Sequence, residues 1–193
     1  MQKMFLSMRD ASLWKTNDDG SRSYDISDEK DADGAYFLTD LCGETVGYLA
    51  FDVEVPRDCE ILIGYGEHFD DLRLRTSIGS RNFAFRYLAK AGRNTFFHPF
   101  RRLGGKYLQF FIGAKAATVY SASVCPTDYP LTARMETIPD RFWDTVCQIG
   151  EKTLRMCMHD HYEDCPWREQ SLYAMDTRVQ ILCGFYAFGE MQP

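Results

Sequence analysis

The stretch Tyr48-Leu49-Ala50-Phe51-Asp52-Val53-Glu54-Val55, halted by Pro56-Arg57-Asp58 and answered by Ile61-Leu62-Ile63-Gly64-Tyr65, decides the fold. Aromatic and β-branched residues make each run a strand, and the proline cluster sets them at hairpin distance. Further strands are predicted at Phe83 to Leu88, Thr95 to Phe97, Lys106 to Ile112 and Thr118 to Val124. Ala91-Gly92-Arg93-Asn94 and Leu103-Gly104-Gly105 lie between them with turn chemistry. Gly64-Tyr65-Gly66-Glu67-His68 lacks the rest of a phosphate motif, and reads as a turn that joins strand ends. Short strands at near-regular spacing predict a β-sandwich.

Upstream, Asn17-Asp18-Asp19-Gly20 and Asp28 to Gly34 are acidic and turn-rich, in the manner of solvated loops. Downstream of Tyr129-Pro130 the period becomes helical. Thr137-Ile138-Pro139-Asp140 has the form of a helix start, with Thr137 as N-cap and Asp140 after it. Trp143, Cys147, Gly150, Leu154 and Cys157 then recur as one apolar stripe. A second helix is predicted from Trp167 to Phe188, with Leu172, Met175, Val179, Leu182 and Tyr186 at the same spacing. Pro166 suits its first turn. Two helices alone leave their stripes uncovered, so they either pack on the sheet or open a larger helical domain. The expected organisation is an irregular edge or remnant of a preceding segment over 1–42, a β-sandwich over 43–130, and the start of a truncated helical domain over 131–193.

Of the 193 residues, 45% are hydrophobic and 26% charged, the balance of a folded chain. A net charge of −6 argues against a nucleic-acid partner. The basic cluster Arg101-Arg102 with Lys106 reads as a solvated sheet edge or an internal ion pair. Seven cysteines, scattered and without a CxxC pair, fit thiols in a reducing compartment, so a cytoplasmic location is expected. No run approaches membrane-spanning length, and Met1 to Trp14 lacks the apolar core of a signal peptide; no membrane partner is expected.

The chemistry is concentrated in Asp164-Cys165-Pro166-Trp167-Arg168-Glu169-Gln170-Ser171-Leu172-Tyr173-Ala174-Met175-Asp176. On a continuous helix Glu169 and Asp176 share nearly one face, about 10 Å apart along the axis. Asp164 precedes that helix and leans over its N-terminus, where unpaired N–H groups favour an anion. Arg168 offers a fork of donors and Trp167 a flat apolar wall. Carboxylates for sugar hydroxyls, an arginine to orient them and an aromatic face form a carbohydrate subsite. The same residues also read as structural: Asp164 an N-cap, Glu169 a complement to the helix dipole, Asp176 a surface charge, Trp167 core. Spacing alone leaves both readings open. His159 and His161, with nearby acids and Cys165, hold metal-ligand types but no second ligand cluster, so a metal protein ranks last. No metal and no cofactor is expected.

The run Asp164 to Glu169, with Asp176 twelve residues after Asp164, resembles the catalytic-motif segment of bacterial α-L-rhamnosidases, glycoside hydrolase family 78. Tyr65-Gly66-Glu67-His68, Gly79 to Arg86, Phe97 to Leu108 and Pro126 to Pro130 are similar to that family's sandwich and its exit into the barrel, in the family's order. The resemblance covers most of the chain, Gly43 to Phe188. It implies a concanavalin-like, mainly antiparallel β-sandwich followed by the first helices of an (α/α)6 barrel. It implies inverting hydrolysis of terminal α-L-rhamnosides, with rhamnose-containing glycosides or polysaccharides as partners. Carried over by position, Glu169 is the general acid, Asp164 and Asp176 hold rhamnose hydroxyls, and Arg168 and Trp167 shape the pocket.

The chain departs from the commonest motif, with Glu169-Gln170 and Tyr173-Ala174-Met175 where many members have an acidic pair and a Gly-Trp. That departure bears on sugar preference. The family's general base comes from a later part of the barrel. Inversion needs two carboxyl groups roughly 6.5–9.5 Å apart, so no useful turnover is expected of this chain by itself. A reading of another class is a non-catalytic carbohydrate-binding or structural sandwich module, supported by the strand-rich first part. Uncovered stripes on the helices also favour a homo-oligomer.

Overall fold

Two strands of 21 residues each, Ala35–Val55 and Gly92–Ile112, organise the N-terminal unit. The computed structural model describes residues 3–5, 13–70, 73–131 and 138–189. In chain order the strands are β1 (Lys3–Phe5), β2 (Lys15–Thr16), β3 (Arg22–Asp25), β4 (Ala35–Val55), β5 (Cys59–Gly66) and β6 (Phe69–Asp70). They continue as β7 (Arg73–Leu74), β8 (Ser77–Ile78), β9 (Arg81–Asn82), β10 (Ala84–Ala89), β11 (Gly92–Ile112) and β12 (Ala116–Pro126). The helices are α1 (Arg141–Met156) and α2 (Ala174–Phe188). The chain divides into two units, Met1–Pro126 and Thr127–Pro193.

Eight strands form one antiparallel network in the order β10-β5-β11-β4-β12-β3-β2, with β1 added on β4. The long strands serve two layers. Residues 35–40 of β4 pair with 107–112 of β11, which pairs onward to β5 and β10. Residues 45–55 of β4 pair with 92–105 of β11 on one side and with β12 on the other. Between these halves the register breaks from Gly105 to Tyr107, and Cys42 on β4 takes a φ of 65°. Such bulges let a strand bend from one layer into the next.

The core forms where the halves face each other. Phe51, 2% exposed, lies in one layer with its ring centroid 5.7 Å from Phe110 and 5.1 Å from Tyr87 of the other. Phe37 stacks on Phe110 at 4.9 Å, and Trp14 meets Phe37 edge-on at 5.4 Å. Removing each such ring from water contributes about 1.5–3 kcal/mol. The result is a mainly antiparallel β-sandwich followed by two helices.

Several local expectations are corrected. The boundary at 43 falls inside β4, and Trp14, Tyr24, Ile26, Phe37 and Leu38 upstream of it are buried. Tyr24 donates its hydroxyl to the Ala114 carbonyl at 2.7 Å, which ties this early segment to the sandwich. Leu103-Gly104-Gly105 is no turn but part of β11. A Cβ on Gly105 would come within 2.9 Å of the Gly66 carbonyl oxygen, so close backbone approach explains the glycine. Gly64-Tyr65-Gly66 likewise belongs to a strand, β5. In the basic cluster, Arg101 lies over the Phe85 ring at 5.1 Å and Lys106 over Tyr107 at 5.1 Å.

In the C-terminal unit α1 starts at Arg141, capped by the Asp140 carboxylate, which accepts from the Phe142 and Trp143 N–H groups. The cap is therefore Asp140; Thr137 lies outside the described residues. The core here is Leu154, Met158, Tyr162, Ala187 and Phe188, joined by Tyr129 and Leu131. Gly184 is buried because Tyr162 crosses it: a Cβ there would meet the Tyr162 hydroxyl at 2.7 Å. The stripe expected on α2 is turned outward, with Val179 59% and Tyr186 77% exposed. No described helix is long and apolar enough to cross a membrane.

Candidate active site

After α1 the chain reverses before it reaches the acidic motif. Met158 and Tyr162 form an antiparallel bridge, and Glu163 N–H donates to the Cys157 carbonyl at 2.9 Å. Glu163 is fully buried, its carboxylate 3.8 Å from His159 Nδ1 and 4.0 Å from His161 Nε2. Gln180 of α2 donates to the Glu163 carbonyl at 2.6 Å. The two histidines thus lie against one carboxylate, and no three His, Cys, Asp or Glu among the described residues gather as a metal site.

The motif is a closed loop. Asp164 N–H donates to the Ser171 carbonyl, and Ser171 N–H donates back to Asp164 Oδ1, both at 3.0 Å. Within the loop Glu169 N–H donates to Cys165 Sγ at 3.3 Å, and Gln170 Nε2 to the Pro166 carbonyl at 2.7 Å. Gln170 has a φ of 53°, a left-handed conformation that a right-handed helix does not continue through. The helix predicted from Trp167 therefore begins only at Ala174, with Tyr173 as an N-cap that makes no side-chain capping bond. Asp164 offers the backbone an alternative to helical bonding, the usual competition from a short acidic side chain.

This geometry redistributes the expected site. Glu169 is off the helix, 20% exposed at its side chain, with Oε1 3.6 Å from Arg168 Nη2. Its Oε2 accepts a short hydrogen bond from the Tyr173 hydroxyl. Arg168 is exposed beside it. Asp164 stands at the neck of the loop. Trp167, 7% exposed, is buried and offers no broad open wall. Asp176 sits exposed in the first turn of α2 and complements its dipole, so the shared helical face with Glu169 does not exist. The structure brings Glu169 and Arg168 together and sets Asp176 on a separate element. An apolar groove of about 520 Å3 runs between the helices, lined by Leu154, Cys157, Val179, Leu182 and Ala187 with Glu151 and Asp164.

At the level of sequence, no family model and no curated protein matches the chain. Solved structures do. A GH78 family rhamnosidase of Bacillus sp. GL1 aligns over 91% of this chain with a TM-score of 0.67 and 24% identity. A rhamnosidase from Klebsiella oxytoca, solved with rhamnose bound, aligns over 82% with a TM-score of 0.70 and 20% identity. The chain shares its fold with part of these proteins. An α-L-rhamnosidase from Dictyoglumus thermophilum also shares it, over 79% of this chain at a TM-score of 0.64 and 14% identity. The chain spans 17%, 34% and 18% of those three proteins in turn. The fold implied by the motif resemblance is the fold found.

Sequence reading missed four features of this region: Tyr173 on Glu169, Ser171 closing the loop, Cys165 as an acceptor, and buried Glu163. Only Tyr173 left a signal, four residues from Glu169. The others depend on a loop closure that composition does not reveal.

Proposed function

We propose that these residues are part of a larger α-L-rhamnosidase-like glycoside hydrolase that cleaves terminal α-L-rhamnosides with inversion. One observation carries the reading: a fold shared with part of rhamnosidases presents the partly exposed Glu169 carboxyl on a closed loop, between the Tyr173 hydroxyl and the Arg168 guanidinium. Glu169 gives its proton to the leaving glycosidic oxygen as the bond to the anomeric carbon breaks. A second carboxylate takes a proton from water, which attacks the opposite face of the ring. Arg168 and Tyr173 then stabilise the carboxylate left on Glu169. Asp164 and Asp176 accept from rhamnose hydroxyls, and buried Trp167 shapes the pocket by anchoring the loop. The substrates are rhamnose-containing glycosides or polysaccharides.

In this reading the general base belongs to another part of the larger protein, and this chain alone does not turn over substrate. Exposed Trp143, Val146 and Ile149 on α1 and Val179, Leu182 and Tyr186 on α2 support it, as faces that further helices of an (α/α)6 barrel would cover. Left uncovered, the same faces favour self-association. The odd, scattered cysteines favour a cytoplasmic setting. The test is Glu169→Gln in the complete enzyme. It should abolish rhamnoside hydrolysis while far-UV and near-UV spectra stay unchanged; full activity would overturn the assignment.

A further inference from the structure

The sandwich carries a second groove that the proposed hydrolysis does not use. Its floor is the outer face of β4, β11 and β5. Phe37, Phe110 and Ile63 on these strands point into the core, so Tyr36, Phe111 and Leu62 alternate outward. These three are direct partners in the ladder, Tyr36 opposite Phe111 and Phe111 opposite Leu62, and form one continuous apolar row. The segment 73–76 forms the roof. Leu74 N–H donates to Gln109 Oε1 at 2.9 Å, and Phe83 N–H donates to the Thr76 carbonyl at 2.8 Å. Gly64 lets the roof lie directly on the sheet, since a Cβ there would meet the Thr76 methyl at 2.5 Å. The half-open space between floor and roof is about 420 Å3, within the range of small-molecule sites.

The polar groups around this space are donors. Arg73 is held 5.0 Å over the Tyr36 ring, and Asp70, its ladder partner in the β6–β7 hairpin, makes no ion pair with it. Gln109 spends its oxygen on Leu74, which leaves its amide N–H2 for the groove. Thr76 also lines the space, with its methyl toward Gly64. A cation and an amide donor above Phe111 and Leu62 suit a ligand with a negative charge, several acceptors and one apolar face. A pyranose ring that carries a carboxylate has all three. We propose that this groove binds an acidic sugar, a hexuronate, with its carboxylate on Arg73, ring oxygens on Gln109, and its C–H face on Phe111 and Leu62. This subsite is independent of Glu169 and lies within the sandwich unit.

The test is a titration of the 193-residue chain with D-glucuronate, followed by amide NMR shifts, beside acetate and L-rhamnose as controls. Saturable shifts at Tyr36, Leu62, Gln109 and Phe111 are expected with glucuronate, and much weaker ones with either control. Arg73→Ala, an exposed position that the core does not need, should weaken glucuronate binding by about tenfold or more. Glu169→Gln should leave it unchanged. The proposal is overturned if glucuronate does not saturate these shifts, if acetate or rhamnose binds equally well, or if Arg73→Ala binds as the parent does.

Discussion

Tyr173 donates its hydroxyl to Glu169 Oε2 across a stretch that is not helical, although the two are spaced like neighbours on a helix. The contact depends on the left-handed turn at Gln170, which brings Tyr173 back over the loop. It fixes one oxygen of a carboxyl group whose side chain is still 20% exposed. Losing a hydrogen bond to a charged group costs about 1.5–3 kcal/mol. In the complete enzyme Tyr173→Phe should therefore lower kcat/KM by about 10- to 100-fold with little change in thermal stability. Steady-state hydrolysis of an aryl rhamnoside checks this, and an unchanged rate would detach Tyr173 from the acid role proposed for Glu169.

The neck of the loop makes a separate test. Asp164→Ala removes the acceptor for Ser171 N–H and should cost about 1–3 kcal/mol of stability. Ser171→Ala keeps both backbone groups of the neck, so it should be much milder. Thermal unfolding of the two variants decides whether the loop closes as described.

Phe51 is the sharpest probe of the sandwich because its ring touches both layers. Phe51→Ala should lose about 3–5 kcal/mol. Phe100, 92% exposed at a second register break in β11, between Phe97 and Arg102, should tolerate alanine almost without effect. Denaturant midpoints that fail to separate these variants would contradict the two-layer packing.

Acid should weaken the same sandwich through Asp52. Arg93 forks onto it, with Nε to Oδ1 at 2.9 Å and Nη2 to Oδ2 at 2.8 Å. The hydrogen bond from Arg93 holds the Asp52 carboxyl below its ordinary range. The unfolded chain therefore takes up the proton first as pH falls. The stabilisation is complete above the unfolded value, about 3.9, and disappears as pH drops through the lower folded value. Asp52→Asn should flatten this acid limb in urea midpoints measured against pH. An unchanged limb would show that the pair contributes nothing.

The strands were legible wherever local composition decides them, as at Tyr48–Val55 and Ile61–Tyr65. The crossing of β4 and β11 between layers was not, because residues 35–40 find partners some seventy positions later at 107–112. Glycines misled for the same reason. Gly105 and Gly64 have turn composition but serve close backbone or side-chain approach inside strands. In the site the residue types were legible and the geometry was not. Helical spacing from Leu172 to Tyr186 extends smoothly back to Trp167, yet Asp164, Ser171 and Gln170 stop the helix before it can form there.

The most direct measurement is hydrolysis of an aryl α-L-rhamnoside by two proteins: the 193-residue chain, and the longer protein of which it is proposed to be a part. Turnover only in the longer product, abolished there by Glu169→Gln, is the expected result. Rhamnoside cleavage by neither protein, or a longer product that stays fully active without the Glu169 carboxyl, would contradict the rhamnosidase reading.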